Sequence, residues 1–181
     1  MIVTIARCYG SGGKEIGKSL AKSLGIGYYG RELFEMASGD DGDVLYGCDE
    51  SFQNSSFEKV DEQFRMQSDA IRRIAEKGSC VIVGRCADYV LRDREDIAKV
   101  YLYAPQRECM RRIIRLYELN PDDAKSLIHS MNKTRGDYYF HNTGQVWSDP
   151  THYDLCINTA GLELSQCIEL ITDYLKLKKL I

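Results

Sequence analysis

The run TIARCYGSGGKEIGKSLAKSLG, residues 4–25, constrains the fold more than any other stretch of the chain. A β-rich run at 2–6 leads into Gly10, Gly12 and Gly13, and then into a segment whose Ile16, Leu20 and Leu24 share one helical face before Gly25 stops it. Strand, glycine turn and helix follow one another without a spacer. Glycines let backbone N–H groups curl round an anion, and a helix start adds unpaired donors and the positive end of its dipole. The stretch therefore has the chemistry of a phosphate cradle, made of Gly10, Ser11, Gly12, Gly13, Lys14 and Glu15. It departs from the strict pattern GxxxxGK followed by Ser or Thr, because Gly12 is followed by Gly13 and only then by Lys14 and Glu15. A dinucleotide turn fits less well: Gly10 and Gly12 make GxG, but the third glycine would fall on Glu15.

The rest of the chain alternates strand and helix. IGYYGRELFEMAS predicts a short second strand and a helix from about Arg31, after which 39–57 loses periodicity and reads as a loop or insertion. Val60, Phe64, Ile71, Ile74 and Ala75 predict a helix over 57–77, feeding a buried strand CVIV at 80–83. A strand at 98–104 precedes a helix with Pro105 in its first turn, and Asn120 and Pro121 start another. The last strand, 153–158, leads to a helix bearing Leu164, Ile168, Ile171 and Leu175. This order implies a parallel sheet covered on both faces, with ligands at the carboxyl ends of the strands.

Composition narrows the partners. With 24 basic and 27 acidic side chains the net charge is -3, so there is no general field for nucleic acid and an anion needs a local basic cluster. The arginines of RECMRRIIRL alternate with core positions and do not make such a field. No apolar run reaches a membrane span and the first residues lack a leader's basic start, so the expectation is a cytoplasmic protein without membrane partners. Cys8, Cys48, Cys80, Cys86, Cys109, Cys156 and Cys167 contain no CxxC pair and are expected to be free thiols. His129, His141 and His152 have no metal-ligand spacing, and no protein metal site is expected.

The glycine loop, VIVGRCADYVL at 81–91 and DYYFHNTGQVWSDPTHYDLCINT at 137–159 together resemble the cytidylate kinase-like family of P-loop proteins, along nearly the whole chain from Ile2 to about Leu175. The resemblance implies one domain over 1–181 with a P-loop NTPase-type three-layer α/β/α fold. Residues 39–57 would be an insertion or nucleoside-monophosphate (NMP)-binding segment, and about 130–148 a helical lid. The implied reaction is transfer of the terminal phosphate of ATP, with Mg2+, to a nucleoside monophosphate such as CMP. Two alternatives are a nucleotide sensor on a kinase fold and a kinase for another small acceptor; a homodimer is left open.

Matched to the loop of true cytidylate kinases, which it resembles, Arg7 stands at the first loop glycine, Gly13 at the lysine, and Lys14 and Glu15 at the two positions after it. Lys14 is the candidate replacement for the loop lysine, and Ser11 or Ser19 for the magnesium-holding hydroxyl. Arg85, just after a buried strand, resembles the arginine that holds the acceptor monophosphate, a role suited to a planar guanidinium. Cys86 stands where relatives have an acid, which leaves Asp88 as the nearest carboxylate, for catalysis or as a solvated helix cap. Arg31, in YGRE, matches the monophosphate-binding segment. Lys133 and Arg135, in NKTRGDYYFH, match the lid's basic motif, whose arginines can cover transferred phosphate. Trp147 is read as a base-stacking or buried anchor residue, and NT at 158–159 as the turn on the adenine side.

Overall fold

Strands β1 (Ile2–Arg7), β2 (Gly27–Tyr29), β3 (Cys80–Val83), β4 (Ile97–Tyr103) and β5 (Leu155–Asn158) form one parallel sheet in the order β2-β3-β1-β4-β5. This is seen in a computed structural model that describes residues 1–30 and 57–181. The helices are α1 (Gly13–Leu24), α2 (Phe57–Lys77), α3 (Ala87–Val90), α4 (Gln106–Tyr117), α5 (Pro121–Thr143) and α6 (Leu164–Leu177).

Successive side chains of a strand face opposite sides, so the apolar runs of β1, β3 and β4 feed two cores. Val3, Ile5, Val81, Val83, Val100 and Leu102 meet Ile16 and Leu20 of α1 and Ile171 and Leu175 of α6. On the opposite face Ile2, Cys80, Ile82 and Ile97 meet Ile71, Ile74 and Ala75 of α2 and Ala87 and Val90 of α3. Ile5, Leu20, Leu102 and Ile171 are fully buried, each contributing roughly 1.5–3 kcal/mol relative to an exposed side chain. The result is the three-layer arrangement expected from the sequence.

The differences lie at element ends. The last strand begins at Leu155, not 153, because Pro150–His152 forms a 3-10 turn and the Asp154 carboxylate accepts the Lys99 N–H at 2.7 Å. Pro105 is the N-cap of α4, one position before its first turn. Asn120 caps α5 as expected, accepting the Asp123 N–H at 2.9 Å. That helix then runs unbroken to Thr143, absorbing most of the lid-like stretch. The helix expected from Arg31 and the irregular stretch to residue 56 lie outside the described residues, and Phe57 already belongs to α2.

β1 is flanked by β3 and β4, with Ile5 opposite Val83 and Arg7 opposite Leu102. The connection after β1 runs to β2 at one edge and the connection after β3 crosses to β4 on the other side of β1, so a crevice opens at the carboxyl ends of these strands. The glycine loop, Gly84, Arg85 and the C-terminal half of α5 meet there.

Candidate active site

The loop between β1 and α1 is held open from both sides. Gly10 and Gly12 have φ of 83° and 85°, which side chains rarely adopt. Arg112 of α4 donates to the Gly10 carbonyl at 3.2 Å and to the Thr159 hydroxyl and carbonyl, both at 2.9 Å. Thr159 in turn donates to the Ser11 carbonyl at 2.9 Å. From α5, Asn132 accepts the Tyr9 N–H at 2.7 Å and Arg135 donates to the Arg7 carbonyl at 3.2 Å. The first intrahelical bond of α1 runs from Ile16 N–H to Gly12 O at 3.0 Å, and among the described residues no side chain caps the helix. The N–H groups before Ile16 therefore stand outside the helical ladder at the positive end of the dipole, a fit for a phosphate chain.

Just past β3 the backbone does something costly. Gly84, Arg85 and Cys86 all have positive φ, at 81°, 63° and 55°, and the turn is closed by Ala87 N–H donating to Gly84 O at 3.2 Å. For each non-glycine residue the left-handed region costs about 1–2 kcal/mol. The turn aims Arg85 into a cavity that it lines with Arg7 of β1, Arg135 of α5 and Asp88 of α3, under Tyr138, Tyr139 and Trp147. The Arg85 Nη1 atom is buried there without a hydrogen-bond partner among the described residues. A guanidinium group so placed is a ready donor to an oxyanion.

Asp88 is 5% exposed, so the solvated cap is not what forms. Its carboxylate accepts the Tyr139 hydroxyl at 2.6 Å. Burial pushes its pKa above the usual carboxylate range, an effect that the Tyr139 bond opposes. The native state thus holds the proton more tightly than the unfolded chain, and Asp88 lowers stability progressively as pH rises above the ordinary carboxylate pKa. Asp88→Asn, which keeps an acceptor for Tyr139, should melt at the same temperature as the parent near pH 4. It should melt higher at pH 7, and a gap that fails to widen between those values would contradict this reading.

Other candidates are spread more widely. Lys14 and Glu15 are exposed on the first turn of α1 and do not line the cavity. Lys133 lies on the outer side of α5, paired with Asp137. The buried Ser11 donates its hydroxyl to Cys8 O at 2.8 Å, so it offers the loop only its backbone. Arg31 lies outside the described residues. Trp147 meets Tyr101 edge-on, with ring centroids 5.7 Å apart, and receives the Tyr153 hydroxyl on its carbonyl at 2.7 Å. Cys8, Cys80, Cys86, Cys109, Cys156 and Cys167 are free thiols. The sequence reading missed Arg112, which it placed only among arginines alternating with core residues, and Tyr139 as the partner of Asp88. Only the neighbouring NT at 158–159 hinted at the first.

A parallel sheet of this order, with a glycine loop opening α1 and basic groups above it, defines the P-loop kinase-like class. The sequence model of the cytidylate kinase-like family matches residues 2–161, and the chain belongs to that family. Among solved structures it is similar to an uncharacterized protein from Eubacterium ventriosum, with 26% identity, a TM-score of 0.80 and coverage of 97% of this chain and 98% of the other. It shares its fold with shikimate kinase from Bacteroides thetaiotaomicron (14% identity, TM-score 0.63, 97% and 98% covered). The fold is also that of deoxyadenosine kinase from M. mycoides (14% identity, TM-score 0.55, 97% and 99% covered). No curated protein matches the sequence.

Proposed function

We propose that the protein transfers the terminal phosphate of ATP to a small anionic acceptor, with a nucleoside monophosphate such as CMP as the first candidate. The observation that carries this reading is the convergence of Arg7, Arg85 and Arg135 on one cavity whose only carboxylate among the described residues is Asp88. Three guanidinium groups lining one cavity offer planar forks of donors that match a phosphate better than a neutral sugar. In this scheme the backbone of 10–15 holds the donor phosphates, Arg85 and Arg31 hold the acceptor, and Arg135 covers the group in transit. An acceptor oxygen forms a bond to the terminal phosphorus as the bridging bond to ADP breaks, and ADP leaves; positioning and charge neutralisation do most of the work. Magnesium would enter with the nucleotide and supply part of that neutralisation. The loop offers it little, since Glu15 stands at the hydroxyl position and the Ser11 hydroxyl is tied to Cys8.

The test is ADP release from ATP and magnesium over a panel of nucleoside monophosphates, carboxylated acceptors and neutral sugars. Stimulation by at least one anionic acceptor and by no neutral one is expected. Stimulation by neutral sugars alone would overturn the proposal. The bound hydroxyl of Ser11 also favours a second reading, a nucleotide sensor, which would bind ATP and release no ADP with any acceptor.

A further inference from the structure

Gly13 presents a puzzle that the backbone does not solve. It lies in the first turn of α1 and its φ is not positive, so its conformation is open to any residue. What excludes a side chain is Arg7: a Cβ on Gly13 would fall 2.6 Å from Arg7 Cγ and 2.9 Å from Arg7 Cβ. The Arg7 side chain leaves the end of β1, crosses the start of α1 and sets its guanidinium against Gly84, where a Cβ would overlap Nη1. There it lines the same cavity as Arg85 and Arg135. Set against the loop of true cytidylate kinases, Arg7 stands at the first glycine and Gly13 at the lysine.

We propose that these two departures are one exchange, and that Arg7 is the phosphate-contacting cation of the site. Its guanidinium, delivered from the first position of the loop, takes the place of the ammonium that position 13 does not supply, and it meets the terminal phosphate of the bound triphosphate. A lysine in a P-loop reaches the β- and γ-phosphates from the helix start. Here the charge arrives across that same helix start from a strand end, on a planar group that stays protonated and offers a fork of donors. Lys14, exposed and outside the cavity, is not needed for this. The inference rests on the ATP-dependent reading above.

Calorimetric titration with magnesium-ATP and, separately, with tripolyphosphate tests it. Arg7→Met keeps the aliphatic contact with Gly13 and removes the charge. Affinity for both probes should fall about 10- to 100-fold, the scale of a lost charge-assisted hydrogen bond. A loss confined to ATP would place the effect on the nucleoside and overturn the proposal. The exchange itself gives the second test, because Arg7→Gly and Gly13→Lys should each bind both probes poorly while the two together recover affinity to within about threefold of the parent. A double variant no better than Arg7→Gly alone would overturn it. If the parent binds neither probe, the phosphate-transfer reading and this inference fall together; if it binds and Arg7→Met binds equally well, only this inference falls.

Discussion

Arg85→Gly is expected to lower acceptor-dependent ADP release by at least about 100-fold and to raise stability at the same time. Both effects come from one residue. Arg85 sits in the left-handed region at φ 63°, flanked by Gly84 and Cys86 in the same region, and its Nη1 is buried without a described partner. Removing a desolvated guanidinium from a phosphate ligand costs about 2–5 kcal/mol of binding, or roughly 30- to several-thousand-fold. In the free protein no such partner is lost. Glycine relieves about 1–2 kcal/mol of backbone strain and gives back about 0.4–1 kcal/mol through the looser unfolded chain. The net gain is a few tenths to about 1 kcal/mol, a melting temperature up to about 3 °C higher. Denaturant unfolding beside the ADP-release assay reads both quantities. A loss of stability on this substitution would mean that Arg85 is a structural residue, held by interactions that matter to the fold.

Gly10→Val should act in the opposite direction on stability and abolish phosphate binding. The position has φ 83°, and a Cβ there would stand 2.9 Å from Cys109 Cβ and 3.0 Å from the Cys109 backbone. A β-branched residue adds left-handed strain of about 1–2 kcal/mol or more to overpacking of about 1–3 kcal/mol. The sum, about 2–5 kcal/mol, corresponds to a melting temperature lower by roughly 4–20 °C for a chain of this size. Gly136→Ala is the matched control, since a Cβ there meets nothing within 4 Å inside α5. It should stabilise the helix by up to about 1 kcal/mol. If Gly10→Val melts like the parent, α4 can move away from the loop, and the brace from Arg112 to Gly10 is softer than its geometry implies.

What the sequence made legible follows from the range of the interactions. The strands, α1 and the glycine loop are local patterns: β-branched runs, one apolar helical face and three clustered glycines. Arg85 could be placed at the sheet's carboxyl end because it follows a continuous apolar run that must be a buried strand. Arg112 could not be so placed. Its position off the core face of α4 gives the same signal as a solvated arginine, and its partners Gly10 and Thr159 are 102 and 47 residues away. Asp88 is similar, since its burial depends on Tyr139, 51 residues on. The full length of α5 was hidden because its buried residues, Ala124, Ile128, Thr134, Tyr138 and Tyr139, do not keep one stripe. That helix rests on different neighbours along its length, α4 near its start and α2 near its end, and a drifting stripe is the physical result.

The contact of Arg7 with Gly13 also bears on how such a loop can change over generations. A side chain at 13 overlaps Arg7 as long as Arg7 is present, so a lysine introduced there first enters an occupied space. Removing Arg7 first strips a positive group from the cavity with nothing yet to replace it. With Arg7 as the phosphate-contacting cation proposed above, either single step passes through a weaker binder, so this pair and the lysine-bearing loop are separated by a valley in fitness.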